Sequence, residues 1–598
     1  MNSLKLIGLA SAGFFAATNY ALAADWTFSG MLREEIAVKL TNDQNPFNHA
    51  GNEYNGVAVT STGLAPGSLT RPASQSKSGD FNMFATRLEM NLDGKLTDDF
   101  AVHFKLRGIT DQVGKVNDAF KDQNLFEQGY GGNRNGGGLG AAGKDWMVDL
   151  PVAYLDYNSG PLWLRLGNQQ IAWGEAMFFR VADVANGLDL RRHSVFDVAA
   201  EEFSDKRVSS PALRAIYRAN DKTQLEGFVQ QFRPSVLPGA TSPYNPIPAQ
   251  FAIDQKTGYE KVKNDFNFGL RLQAEIEEVG VQAFAVRRNN PDGVFRWTEA
   301  QGAGAISGTP FAAGTGGGVY SAKEWFRYAS LSRLDGVGGL LSALNEFSAT
   351  TTGALAGAAG FVAGACGASN ATPGAIAAGS AASSCILDTF FDSATGFGNL
   401  QGWLAREYPK ENVFGFGLNK VFSGEPDSIT DQLIGRFELS YTPNKKFTNP
   451  TLSKDYIVKD ELNFAFIAEK YHKFSQALPA TYMVFQWMHK SASDLFGRSL
   501  AGSNNTAGQV PGGKSNGSDY IAIVFQQPSP SLEWRFDLAA LTDLNGGWFI
   551  QPGTKWKVNK DFQVDIYANY LRSGNKGKDF AEGYNYAREL FVRGSWYF

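Results

Sequence analysis

The chain ends Glu589-Leu590-Phe591-Val592-Arg593-Gly594-Ser595-Trp596-Tyr597-Phe598, and this stretch decides the fold. Counting back by twos from Phe598 gives Trp596, Gly594, Val592 and Leu590, while the other register holds Tyr597, Ser595, Arg593 and Glu589 and is more polar. Residues two apart share one face of a strand. Just upstream, Phe562, Val564, Ile566, Ala568 and Tyr570 alternate with Gln563, Asp565, Tyr567 and Asn569. A soluble sheet turns one such face to a core and the other to water. A transmembrane barrel turns one to lipid and the other to a lumen, with aromatic residues near the strand ends.

Working outward, the same pattern recurs along the chain. Trp26, Phe28, Leu32, Ile36 and Val38 oppose Thr27, Ser29, Arg33, Glu35 and Lys39. Leu88, Met90 and Leu92 alternate with Arg87, Glu89 and Asn91; Phe100, Val102, Phe104 and Leu106 alternate with Ala101, His103, Lys105 and Arg107. Further alternating runs include Leu162–Leu166, a hairpin over 211–232, Phe268–Ile276, Phe414–Leu418, Phe437–Tyr441 and segments near 460–470, 481–490, 519–527, 532–542 and 547–558. This gives an all-β, transmembrane, antiparallel up-and-down barrel of about 18 strands (16–18), since boundaries are the least certain part of such a reading. Short turns alternate with long loops, so an even strand count brings both termini to the periplasmic side and places the long loops outside the cell. The last strand is then expected to pair with the first, leaving no unpaired edge in lipid.

Composition agrees. The chain holds 66 Gly, 45 Phe, 21 Tyr and 12 Trp, yet its mean hydropathy is −0.24. Many aromatics in a polar chain suit lipid-facing girdles around a wet interior. A formal charge of −4 gives no basic footprint for nucleic acid. Residues 1–23 read as a secretory signal peptide: Lys5, an apolar run to Ala17, and Ala21-Leu22-Ala23 as the cleavage site. Residues 24–598 are the mature barrel. Its Phe598 ending is similar to the C-terminal signal that the barrel assembly machinery of Gram-negative bacteria recognises, which implies the outer membrane and contact with its lipid.

From about 290 to 410 the alternation stops, and Ala, Gly, Ser and Thr dominate the middle. That stretch reads as one oversized loop, with Cys366 and Cys385 expected to form a disulfide in an oxidising compartment. Closing a loop of that length stabilises by about 3 kcal/mol. Gly138-Leu139-Gly140-Ala141-Ala142-Gly143 formally matches a dinucleotide fingerprint, but it leads into a strand rather than a helix and is set aside. No metal-ligand spacing is present, no cofactor is called for, and the five histidines lie in no nucleophile elbow or zinc helix. The expectation is a protein that is not an enzyme, with an outer-membrane hydrolase or adhesin as the alternative from another class.

Two sets of residues are candidates for function. Arg87, Lys105, Arg107, Arg165, Arg271, Arg436 and Glu438 fall on the lumen face, either as a ladder of structural pairs or as a selectivity field. The mixed signs favour the ladder. The stretch 174–208, with Trp173 just before it, carries Glu175, Phe178, Phe179, Arg180, Asp189, Arg191 and Arg192. Apolar groups beside mixed charge fit a loop folded into the barrel, plugging it or lining a path for a hydrophobic ligand. The other reading is a surface loop whose Phe residues join the upper girdle.

The run Arg165-Leu166-Gly167-Asn168-Gln169-Gln170-Ile171-Ala172-Trp173-Gly174-Glu175 resembles the signature of an uncharacterised proteobacterial outer-membrane barrel family that carries a domain-of-unknown-function label. Leu188-Asp189-Leu190-Arg191, Glu438-Leu439-Ser440-Tyr441-Thr442-Pro443-Asn444 and Thr542-Asp543-Leu544-Asn545-Gly546-Gly547 support the likeness. Asn168 and Ala176 depart from the pattern. Members are often encoded beside RND-type transporters and a periplasmic, lipoprotein-like carrier, so the resemblance implies such partners and movement of hydrophobic molecules or lipids across the outer membrane. A water-filled solute porin is the alternative within transport.

Overall fold

The computed structural model describes residues 25–43, 45, 53–54, 57–58, 76–121, 123–127, 139–176, 179–191, 206–239, 242–244, 251–297, 402–426, 428–449, 456–501, 513–514, 516–574, 579–581 and 584–598. Residues 1–23, expected from sequence to be a signal peptide, and Phe178, Arg192, Cys366 and Cys385 lie outside them.

The chain forms a closed 18-strand antiparallel barrel. In order, β1 is Asp25–Lys39, β2 Phe81–Lys95, β3 Phe100–Asp111, β4 Trp146–Ser159, β5 Leu162–Gln169 and β6 Ser210–Asn220. Next come β7 Thr223–Gln231, β8 Phe266–Ile276, β9 Val279–Asn289, β10 Lys410–Val421, β11 Ile434–Phe447 and β12 Ile457–His472. The circuit ends with β13 Thr481–Lys490, β14 Gly517–Pro528, β15 Trp534–Asp543, β16 Trp548–Lys557, β17 Phe562–Arg572 and β18 Glu589–Tyr597. Each pairs with its sequence neighbour, and β18 pairs with β1 from Met31↔Tyr597 to Lys39↔Glu589. Gly30 and Phe598 extend that seam, each N–H donating to the other's carbonyl at 2.7 and 3.1 Å. The pairing expected between the first and last strands is therefore present, and it leaves no open edge in lipid.

Alternation places the faces as the pattern requires. Trp26, Phe28, Leu166, Leu270, Phe414 and Trp596 are exposed on the outside, whereas Glu35, Arg87, Glu226, Glu438 and Arg593 are buried inside. Exposed aromatics ring both ends: Trp26, Phe100, Trp556, Phe562 and Trp596 at one, Phe81, Trp146, Phe266 and Trp548 at the other. Such girdles mark the two membrane interfaces.

The turns depart from strict alternation in two places. Residues 422–433 make a long connection on the short-turn side, and 544–547 a tight one on the long-loop side. Glu277 and Glu278 form the β8–β9 turn with φ of 48° and 67°. That is the left-handed twist a two-residue hairpin needs, taken here without the usual Asn-Gly. β9 ends at Asn289 and β10 starts at Lys410, and residues 298–401 of the stretch between them, expected as one oversized loop, lie outside the described residues. Its described margins, Val294–Trp297 and Gly402–Glu407, join Phe251–Asp254 in a three-stranded sheet that periodicity did not foretell.

Candidate functional site: the lumen

The lumen charges occur in pairs. The Arg87 guanidinium meets Glu89, and Lys105 Nζ reaches the same carboxylate at 2.8 Å. Arg107 pairs with Asp149 at 2.6 Å, Arg165 with Asp156 at 2.7 Å, and Arg271 with Glu226. Arg436 lies 2.7 Å from both Glu175 and Glu469. Opposite charges on neighbouring strands satisfy one another, which is the structural-ladder arrangement.

Glu226 sits at the centre of the densest knot and was not singled out by sequence. Its Oε1 accepts from Arg214 Nε at 2.6 Å and from Trp173 Nε1 at 2.7 Å, while Oε2 accepts from Arg271. The only cue was its place on the inward register of the 211–232 hairpin. Trp173 is 2 % exposed; its indole meets Phe228 at 5.1 Å and Phe284 at 5.6 Å between ring centroids, with Arg271 5.3 Å over its face. The signature run after β5 thus does not leave the barrel. It turns inward and is anchored on β7–β9.

Beyond Trp173 the loop crosses to β11. The Glu438 carboxylate accepts the backbone N–H groups of Glu175, of Ala176 at 3.1 Å and of Ala182 at 3.0 Å. One side chain therefore closes a turn from both sides and gathers donors that have no ladder partner. Gly174 is needed here, because a Cβ would come within 2.7 Å of the Asp183 nitrogen. At the tip, Phe179 is 3 % exposed and faces Tyr520 of β14, 6.3 Å between rings.

The return limb is fixed by charge. Asp183 pairs with Arg207 at 2.8 Å and Arg180 at 3.5 Å, Gln230 Nε2 donates to the Ala185 carbonyl at 2.7 Å, and Arg288 donates to the Val184 carbonyl. Arg191, 1 % exposed, grips Asp189 through both nitrogens of its fork. Burial pushes the Asp189 carboxyl up, but Arg191 outweighs it and holds the pKa below the ordinary carboxylate value.

A second loop also enters. The proline-rich stretch after Gln231 runs beside the first: the Val236 N–H donates to the Leu188 carbonyl, the Leu190 N–H donates to the Val236 carbonyl, and Tyr244 Oη donates to Glu589 of β18 at 2.8 Å. Arg406, fully buried, donates to the carbonyls of Ser235 and Asp292 at 2.9 and 3.0 Å and bolts this loop to the margins of the 290–410 segment. Neither Tyr244 nor Arg406 had a periodic signal to reveal it.

On the far side from Glu226 the lumen carries an apolar cluster among polar groups such as Gln486 and Asn569. Phe179 and Val181 pack in one buried cluster with Ile467, Val484, Met488, Tyr520, Val524, Leu541, Phe549, Tyr567 and Phe591, contributed by β12–β18. Two histidines pair with carboxylates: His103 faces Asp93 at 2.5 Å and His489 faces Asp519 at 3.0 Å. Among the described residues no group of His, Cys, Asp and Glu could hold a metal ion.

Among solved structures, OccAB3 of Acinetobacter baumannii is similar at 8% identity, over 96% of this chain and 99% of that one, with a TM-score of 0.41. OccK9 (OpdG) of Pseudomonas aeruginosa is similar at 9% identity, over 96% and 98%, also at 0.41. No curated protein matches. A family model described as "Protein of unknown function (DUF1302)" matches residues 4–587, nearly the whole chain, and the protein belongs to that family.

Proposed function

We propose that the protein is an outer-membrane channel for hydrophobic or amphipathic small molecules, working passively and without cofactor. The observation that carries this reading is the apolar cluster of Phe179 and Val181 with the inner faces of β12–β18. Interior faces of channel barrels are ordinarily polar. Here a loop anchored at Glu226 and Glu438 presents an aromatic tip to a wall of Tyr520, Val524, Leu541 and Phe549 instead. An apolar surface with a few fixed polar groups is what holds a small hydrophobic ligand. Trp173, Glu175, Phe179, Arg180, Asp189 and Arg191 then shape the path. A periplasmic carrier and an RND-type transporter are the partners this reading suggests.

A solute porin is the second reading, favoured by Asp537, Lys555, Asp565 and Arg593 on the lumen face of β15–β18. Uptake assays separate the two. In a Gram-negative host stripped of its own general porins, the protein should speed entry of N-phenylnaphthylamine and leave entry of a polar β-lactam unchanged. The reverse pattern would sink the hydrophobic reading and support the porin.

A further inference from the structure

β16 contains a proline at a position where barrels do not tolerate one easily. Pro552 lies midway between Trp548 and Trp556, the exposed aromatics at its two ends, so it sits at the middle of the lipid-facing band. A proline has no N–H for the ladder, and within sheets it is confined to edges, strand starts and bulges. The other strand prolines obey this. Pro151 and Pro443 lie where the pairing shifts register, Pro211 is the second residue of β6, and Pro528 ends β14. Pro552 alone, among the described residues, stands mid-strand with no register shift.

The ladder shows the consequence. β16 and β17 pair at Ile550↔Tyr570 and resume at Gly553↔Tyr567 in the same register, skipping Gln551 and Pro552. On the lumen side, Gln551 Nε2 bridges the gap to Asn569 Oδ1 at 2.8 Å. On the lipid face the proline ring stands in register with Ala568. The N–H that Pro552 lacks leaves one ladder bond unmade at a depth where such bonds matter most, so a closed structural wall has no reason to keep a proline here.

A small pocket adjoins this place, lined by lumen residues Gln551, Gly553, Asp565, Tyr567 and Arg593 and also by Leu538 and Ile566. The last two belong to the outward register and are 38% and 40% exposed. Gly553 contributes no side chain to fill it. Phe549, Tyr567 and Phe591 carry the apolar cluster of the lumen to its edge.

We propose that the β16–β17 seam at Pro552 is a lateral port through which hydrophobic small molecules pass between the apolar lumen and the hydrocarbon of the membrane. This deepens the hydrophobic-channel reading and rests on it. Gln551 and Asn569 act as the latch: their bond lies across the weakest part of the ladder, and its parting begins the opening. A hydrophobic molecule gains nothing by leaving through water at either end, since its favourable transfer is from lumen to lipid.

The test uses the full-length protein, with Cys366→Ser and Cys385→Ser, reconstituted in vesicles. A cysteine at the latch, Gln551→Cys, is reacted with a long-chain N-alkyl maleimide confined to the bilayer. A cysteine on the opposite lumen wall, Gln282→Cys, is the control. The port predicts faster labelling at the latch, and adding Pro552→Ala, which restores one ladder hydrogen bond, should slow it about fivefold. Equal labelling at both positions, or no effect of Pro552→Ala, overturns the port. Gln282→Cys and the latch variant must both float as heat-modifiable barrels, and a disulfide between Gln551→Cys and Asn569→Cys gives a second arm. Oxidising it should abolish N-phenylnaphthylamine uptake in cells and reduction should restore it. Uptake that persists in the locked barrel overturns the port while the channel reading stands. Absence of uptake in the unlocked barrel overturns the channel reading, and the labelling ratio still decides the port.

Discussion

Arg593 on the last strand donates its Nε to Glu35 Oε1 on the first at 2.7 Å, joining residues 558 apart in sequence across the seam that closes the barrel. Both side chains are 2% exposed. Tyr567 brings its hydroxyl to the same carboxylate at 3.4 Å, and the Arg593 guanidinium lies 5.0 Å from the Tyr567 ring centre. Removing either partner breaks a buried ion pair. Arg593→Ala or Glu35→Ala is expected to destabilise the barrel by about 3 kcal/mol, and replacing both together by less than the sum. Heat-modifiability on gels measures this, and additive losses would show that the pair does not couple.

The Phe598 ring covers Gly30. A Cβ there would fall 2.3 Å from the ring carbon Cζ, so any larger residue displaces the terminal aromatic. Gly30→Val should therefore lower seam stability and slow assembly, as truncation of Phe598 should also do. Normal folding rates in that variant would separate the two roles.

The Glu277-Glu278 turn holds both residues at positive φ. Each costs roughly 1 kcal/mol relative to a residue suited to that region. Replacing the pair by Asn-Gly should raise resistance to urea unfolding by about 1 kcal/mol. No gain would indicate that the acidic pair is compensated at the membrane surface.

The Asp189–Arg191 pair has a definite pH sign. Its carboxyl pKa is held below the unfolded value of about 3.9, so its stabilisation is complete above that value and is lost as pH falls through the lower folded one. The acid-induced loosening of the loop below about pH 4 should be smaller in Asp189→Asn, read as the change in channel conductance between pH 5 and pH 3. Identical changes in both proteins would remove this pair from the acid response.

Much of this was legible in the sequence, for a physical reason. Strand faces repeat with period two, so Glu589 to Phe598 and Trp26 to Lys39 declared which side of each residue meets lipid. Arg165 to Glu175 stood out as a signature, and its Trp173 and Glu175 do meet the barrel wall. The partners did not stand out. Glu226 and Glu438 look like any inward carboxylate until the loop arrives to use them. Tyr244 and Arg406 lie in segments with no period, and their contacts join residues far apart in the chain. Pro552 was visible inside its strand, but only the unshifted ladder around it shows that no bulge excuses it.

The account turns on the loop that Glu438 clips across the lumen, and single-channel conductance in planar bilayers tests it most directly. The intact protein should pass a small current, Glu438→Ala a larger and noisier one, and deletion of 174–208 a large steady one. A large steady current in the intact protein, unchanged by the deletion, would contradict the loop's place in the path.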